Sequence, residues 1–157
     1  MLAARHYEAE GFSGFAEIAG ARAVCDRSGA LYFPADSLLV VSDLHLEKGS
    51  AYARRGVMLP PYDTVATLSK LNAVLDEYRP KVVISLGDSF HDRIGSAHLP
   101  GIFRDRLERM MRGRDWYWVT GNHDPDAPEN LSGRSVREIA LGSIMFRHEP
   151  SPGAIAG

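Results

Sequence analysis

Cysteine is almost absent from this sequence of 157 residues, which contains a single one, Cys25. A lone cysteine excludes an internal disulfide and a zinc site built from a cysteine cluster, and it is consistent with a reducing compartment. An excess of charge is lacking too, because 18 basic and 20 acidic residues leave a formal net charge of −2. This balance argues against nucleic-acid binding by bulk charge but leaves room for a local basic patch.

Long hydrophobic runs are absent as well. The longest, at 38–41 and 82–84, are far shorter than the roughly 20 residues that a membrane helix needs. Charged residues also interrupt the N-terminus before the apolar core of a signal peptide can form. We therefore expect a soluble, cytoplasmic protein without a membrane partner. The length and the 45% of hydrophobic residues are typical of one globular domain over residues 1–157.

Three continuous apolar runs have the length of strands that are covered on both faces. They lie at 38–41, 81–86 and 116–119. Between these runs, apolar residues recur at helical spacing and predict one helix over 63–79 and a second around 102–111. Asp63 can cap the first helix, and Pro80 forces it to end.

Shorter apolar runs near both ends of the chain predict two hairpins. The early hairpin combines 21–24 with 30–33, and the late one combines 136–141 with 143–147. The resulting order is a hairpin, then β-α-β-α-β, then a second hairpin. It predicts an α/β layered domain with parallel central strands and helical crossovers.

Polar side chains follow each of the three central strands. The three segments are Ser42-Asp43-Leu44-His45, Gly87-Asp88 and Gly121-Asn122-His123-Asp124. A lone Asp at a strand end is more often a helix cap or a turn residue. Three such strand ends meet at one edge of a parallel sheet, however, and coincidence is then a poor explanation.

The residue types at this edge favour a metal site. Asp43 and His45 are two residues apart, so in an extended segment both side chains point the same way. With Asp88 from the next strand they form a set of oxygen and nitrogen ligands that suits Mn, Fe or Zn. Gly87 and Gly121 allow the tight backbone that places a ligand directly after a strand.

The ordered motifs of the chain resemble those of the calcineurin-like metallophosphoesterases. They are Asp43-Leu44-His45, Gly87-Asp88-Ser89-Phe90-His91, Gly121-Asn122-His123-Asp124 and His148. The runs at 43–49, 59–64 and 87–92 are more narrowly similar to the ligase-associated DNA damage response endonucleases. The resemblance covers about residues 29–157, and its motifs are specific as an ordered set.

This resemblance implies two divalent metal ions, most simply Mn²⁺, with Fe or Zn as alternatives. It implies that Asp43 and His45 hold the first ion and that Asp88 bridges both. Asn122 and His148 would hold the second ion. A shared carboxylate makes physical sense, because two cations about 4 Å apart need an anion between them.

The resemblance also implies catalytic and substrate-binding residues. His123 would donate a proton to the leaving oxygen or stabilise the transition state, and Asp124 would orient it. Arg54 and Arg55 follow the first metal motif closely and are candidates for binding a phosphate backbone. The arginines within 104–114 alternate with acidic residues, and a solvated helix face with local ion pairs explains them better.

Two features depart from the family pattern. His91, followed by Asp92, stands where the wider family has an Asp that supports the site without being a ligand. The chain also ends at Gly157, just before the expected final motif with its two histidines. We therefore expect two implied ligands to be missing, the second metal ion to be weakly held, and the enzyme to be impaired.

The function that this resemblance implies is a divalent-metal-dependent phosphodiesterase. It is expected to act as an endonuclease on DNA or RNA in DNA repair, with nucleic acid as substrate and repair proteins such as a DNA ligase as possible partners. Two alternatives stay open. One is a phosphoesterase for small phosphoesters or cyclic nucleotides, and the other is a non-catalytic binding module with an incomplete site.

Overall fold

The strands and helices are taken from a computed structural model, which describes residues 14–46, 62–90, 96–97, 99–121 and 128–150. In chain order they are β1 (Gly14–Ile18), β2 (Ala21–Cys25), β3 (Leu31–Phe33), β4 (Leu38–Val41), α1 (Tyr62–Tyr78), β5 (Val82–Leu86), α2 (Gly101–Met111), β6 (Asp115–Val119), β7 (Arg134–Val136), β8 (Glu138–Leu141) and β9 (Ile144–Arg147).

Strands β1 to β7 form one sheet in which the spatial order follows the chain order. The pairs from β1 to β4 are antiparallel, and those from β4 to β7 are parallel. The parallel half needs long crossovers, and helices α1 and α2 lie in the first two of them. The predicted α/β layered domain with parallel central strands is therefore confirmed, and β4, β5 and β6 end side by side at one edge.

Both faces of the sheet are covered, which explains why the central strands are continuously apolar. All four residues of β4 are buried. Leu39 and Val41 pack in the same cluster as the apolar faces of α1 and α2. Leu38 and Val40 point to the opposite face and pack in the cluster that contains Phe146 from β9. A strand whose alternate residues enter two different cores has no polar face.

Strands β8 and β9 form a separate antiparallel pair, with Leu141 opposite Ile144. This hairpin covers the face of the main sheet that the helices leave open. Phe33 and Phe146 meet edge to face there, with ring centroids 6.0 Å apart. The packing of the hairpin brings the segment after β9, with His148, to the carboxyl edge of the parallel strands.

The structure differs from the sequence prediction in three places. Strand β1 was not predicted. The run predicted as one strand over 136–141 is divided, because Val136 pairs with Val119 in the main sheet whereas Glu138 pairs with Arg147 in the hairpin. Asp63 lies within the first turn of α1, where its charge still favours the helix dipole, rather than before it.

The end of α1 agrees with the expected effect of Pro80. The helix ends at Tyr78, and Arg79 adopts a left-handed backbone with φ 46°. None of the described helices is long and apolar enough to cross a membrane.

Candidate metal centre

Three of the predicted ligands lie together at the carboxyl edge of the sheet. Asp43 and His45 follow β4, and Asp88 follows β5. One ligand atom from each residue lies within 4.8 Å of the others. Asp88 is buried, His45 is partly exposed and Asp43 is exposed, so the group opens towards solvent on one side. Two carboxylates and one imidazole at this separation suit a divalent cation such as Mn, Fe or Zn.

The backbone at these three residues is left-handed. The φ angles are 53° at Asp43, 45° at His45 and 49° at Asp88. The prediction that Asp43 and His45 align because they lie in an extended segment is therefore wrong. Their side chains still approach, with Nε2 of His45 3.9 Å from Oδ1 of Asp43. Asp and His tolerate this conformation better than most residues, and such strain is concentrated at functional sites.

Backbone hydrogen bonds keep the two ligand loops in this conformation. The N–H of Asp43 donates to the carbonyl of Gly87 at 3.2 Å, and that of His45 donates to Asp88 at 3.0 Å. The N–H of Leu46 then donates to the carbonyl of Ser89 at 2.9 Å. The pairing between β4 and β5 thus continues beyond both strands, and it holds the candidate ligands in fixed register.

His148 reaches the same group from the β8–β9 hairpin. Its Nε2 lies 3.3 Å from Oδ2 of Asp88, and its Nδ1 lies 2.9 Å from the carbonyl oxygen of Leu86. A carbonyl only accepts, so Nδ1 carries a proton and donates it. In the neutral ring this tautomer leaves the lone pair of Nε2 beside Asp88, where a cation held by Asp88 would use it.

Gly87 makes the approach of His148 possible. A Cβ built on Gly87 would lie 2.7 Å from the Cβ of His148 and closer still to its ring atoms Cγ and Nδ1. Gly87 also has φ 80°, a conformation that side chains disfavour. The sequence predicts that Gly87 allows a tight backbone after β5, and the structure adds that its missing side chain makes room for a candidate ligand.

The electrostatics of His148 reflect its negative surroundings. Burial lowers the pKa of the imidazole, but the hydrogen bond to Leu86 and the charges of Asp88, Asp43 and Glu149 outweigh it and raise the pKa above 6.5. The raised pKa of His148 therefore reflects the negative charge that surrounds its ring. The donors and the excess of negative charge therefore both fit a bound divalent ion.

A serine hydroxyl supports the carboxylate of Asp43, and a buried pair of serines flanks Asp88 in the sequence; neither feature was predicted. Ser42 donates to Oδ2 of Asp43 at 2.6 Å, which leaves Oδ1 facing His45. Ser85 and Ser89 are buried and hydrogen bond to each other at 2.7 Å, and in the sequence they stand before and after Asp88. The available signal was the polar Ser85 inside an otherwise apolar strand, where a buried hydroxyl needs a partner.

Five predicted site residues lie outside the described residues. They are Arg54, Arg55, Asn122, His123 and Asp124. The departures at His91 and Asp92 lie outside them too. The strand that leads to the third motif is described: β6 pairs with β5, and the N–H of Thr120 after it donates to Val136 at 3.0 Å. The metal-binding, catalytic and substrate-binding roles predicted for Arg54, Arg55, Asn122, His123 and Asp124 stay predictions.

Three of the five arginines of 104–114 are partly buried and donate hydrogen bonds to other parts of the fold, so the interpretation as a solvated helix face fits only the exposed Arg109 and Arg112. Arg104 donates to the carbonyl of Leu99 at 3.0 Å, and Arg106 donates to the hydroxyl of Ser69 at 3.1 Å. Arg114 donates to the carbonyl of Pro80 at 3.2 Å. Arg114 lies where β6 begins, at the edge opposite the candidate metal centre.

Comparisons with known proteins agree with this geometry. The family model for calcineurin-like phosphoesterases matches residues 37–153. Among solved structures, the nuclease MPE of Pseudomonas putida is similar, with a TM-score of 0.74 and 26% sequence identity. That match covers 92% of this chain and 70% of the nuclease. A comparison with curated proteins found no significant match.

The family match contains every element that builds the centre, from β4 to His148. The family uses divalent metals, and the group of Asp43, His45 and Asp88 is a candidate site for one. The fold of the similar nuclease extends over nearly the whole chain. This chain therefore belongs to the calcineurin-like phosphoesterases, which are hydrolases of phosphoesters.

Proposed function

We propose that this protein is a divalent-metal-dependent phosphodiesterase that cuts nucleic acid as an endonuclease. The observation that carries the proposal is the convergence of Asp43, His45, Asp88 and His148 at one edge of the sheet. Similarity to the nuclease of Pseudomonas putida supports nucleic acid over a small phosphoester as substrate. A role in DNA repair and association with a DNA ligase are part of the proposal and rest on the motif resemblance.

In this proposal the chain's own residues divide the work. Asp43, His45, Asp88 and His148 hold the cations, together with Asn122. A divalent cation at such a centre supplies Lewis-acid polarisation of phosphoryl oxygens. Ser42 orients the carboxylate of Asp43 through its hydroxyl. His123, oriented by Asp124, donates a proton to the leaving oxygen, which is a role that a positioned imidazole performs well near neutral pH.

The test is an assay of the purified chain on plasmid DNA and on bis(p-nitrophenyl) phosphate, with Mn²⁺ or with a chelator. We expect nicking of closed-circular DNA that requires the metal and stops on chelation. Hydrolysis of the small ester without any cleavage of DNA would favour the small-phosphoester alternative. Binding of metal with no turnover of either substrate would favour a non-catalytic module.

We expect Arg54 and Arg55 to contribute more to DNA affinity than the arginines of 104–114. The double variant Arg54→Ala/Arg55→Ala should weaken binding of a DNA oligonucleotide and flatten the dependence of log K on log salt by up to about two. The matched control is Arg109→Ala/Arg112→Ala, which removes two exposed arginines from the α2 region. Equal affinities and slopes for both double variants would contradict this assignment.

A further inference from the structure

A cavity of about 310 Å³ adjoins the candidate metal centre on the helix side of the sheet. It lies between the turn that joins β2 to β3, the end of β4 and one face of α1. Asp43 belongs both to its lining and to the candidate metal group. A ligand in this cavity would therefore lie directly beside a phosphoester bound at the candidate metal centre.

Hydrogen bonds hold the wall formed by the β2–β3 turn in place. Oδ1 of Asp26 accepts from the backbone N–H of Ser28 at 2.8 Å and from its hydroxyl at 2.5 Å. Oδ2 of Asp26 accepts from the hydroxyl of Tyr78 at 2.7 Å, which joins the turn to the last residue of α1. Tyr78 is itself buried and stacks on Tyr32, with ring centroids 4.7 Å apart. The cavity is thus preformed, as binding sites commonly are.

The lining combines an apolar floor with a polar rim. Val41, Leu71 and Val74 are buried and form the apolar part. Thr67 supplies a hydroxyl, and Lys70 is the cation among the described lining residues. Lys70 and Thr67 lie on the same face of α1, because residues three apart on a helix are neighbours.

This chemistry matches a nucleotide. The flat face of a base and the carbon atoms of a sugar are suited to an aliphatic floor, and a lysine ammonium binds phosphate as a point charge. The volume is near the lower end of the range for ligand pockets, so it admits one nucleoside unit. The described lining contains no aromatic ring for stacking, and sequence-tolerant binding is therefore expected.

We propose that this cavity holds the nucleotide next to the scissile phosphate and that Lys70 contacts a phosphate of the same strand. The inference rests on the proposed nuclease activity, since it names the part of the substrate that the cavity holds. It makes Lys70 a positioning residue, because Lys70 contacts a part of the strand that is not cleaved. Its removal should affect long substrates more than short ones.

The experiment compares Lys70→Met with Lys81→Met on a single-stranded DNA oligonucleotide and on bis(p-nitrophenyl) phosphate. Lys81 is an exposed lysine that precedes β5, at the opposite edge of the sheet. For Lys70→Met we expect the ratio of kcat/KM on DNA to kcat/KM on the small ester to fall about tenfold, which corresponds to one charge-assisted contact. The salt slope of DNA binding should fall by about one, and Lys70→Arg should restore much of both. Lys81→Met should match the wild type.

A second variant tests the cavity without changing charge. Thr67→Phe places a ring in the cavity and should raise the KM for DNA more than that for the small ester. One outcome is a wild type that cleaves DNA while Lys70→Met and Lys81→Met show equal DNA-to-ester ratios of kcat/KM and equal salt slopes. That result would overturn the cavity assignment and leave the nuclease proposal intact. A parallel loss on both substrates would also overturn it. A wild type that hydrolyses the ester but neither binds nor cleaves DNA would overturn both proposals.

Discussion

Asp88→Asn is expected to abolish hydrolysis of phosphoesters while the protein stays folded. Asp88 is buried between the groups that follow β4 and the ring of His148, and it is the carboxylate that all of them share. Asn keeps the size of the side chain but removes its charge. Loss of a residue that only hydrogen bonds to a metal ligand typically lowers activity by roughly 10- to 100-fold, and loss of the ligand itself should lower the rate further.

The measurement combines metal content by mass spectrometry with kcat on a phosphodiester. Asp115→Asn is the matched control, since it neutralises an exposed aspartate at the start of β6, on the opposite edge. In the chelated protein the pKa of His148 should also fall in Asp88→Asn, because the charge of Asp88 is one of the causes that raise it. Full metal content with an unchanged rate would contradict the role of Asp88.

Gly87→Ala is expected to destabilise the folded protein. A left-handed conformation costs an alanine about 1–2 kcal/mol. The new methyl group would also overlap the ring of His148, and crowding of this kind in a packed site typically costs about 1–3 kcal/mol more. His148 must then move away from Asp88, so metal affinity should fall together with stability.

Gly113→Ala separates these two contributions. Gly113 has φ 77°, close to the 80° of Gly87, but a Cβ there meets no atom within 4 Å. The free energy of unfolding, from denaturant titration, should therefore fall by about 1–3 kcal/mol more in Gly87→Ala than in Gly113→Ala. Equal losses in the two variants would show that His148 does not need the space above Gly87.

Much of the fold could be predicted from the sequence because its burial pattern is local. The run 38–41 is a strand with the predicted bounds, and the helix predicted over 63–79 lies at Tyr62–Tyr78. The periodicity of apolar residues reports which faces are buried, and that is a property of neighbouring residues. Strand β1 escaped prediction because its residue types do not follow its alternating exposure: Phe15 is apolar yet exposed, and none of its residues is fully buried.

The candidate metal centre, too, could be predicted from the sequence only in part. The sequence by itself determined that Asp43, His45 and Asp88 follow adjacent parallel strands, because a polar segment after an apolar run marks the end of a strand. Only the tertiary structure decided how they meet. The left-handed backbone of Asp43 and His45 is held by hydrogen bonds to the loop after β5, which lies more than forty residues away.

His148 is the clearest case of a residue placed by tertiary packing. Its motif identified it as a candidate ligand, but no local pattern relates it to Gly87 or to Leu86, which lies 62 residues earlier. Its position follows from the β8–β9 hairpin, which packs Phe146 against the face of the sheet opposite the helices. The division of 136–141 between two sheets has the same origin. The local sequence pattern indicates which residues are buried, whereas the tertiary packing of the whole chain determines which elements they pack against.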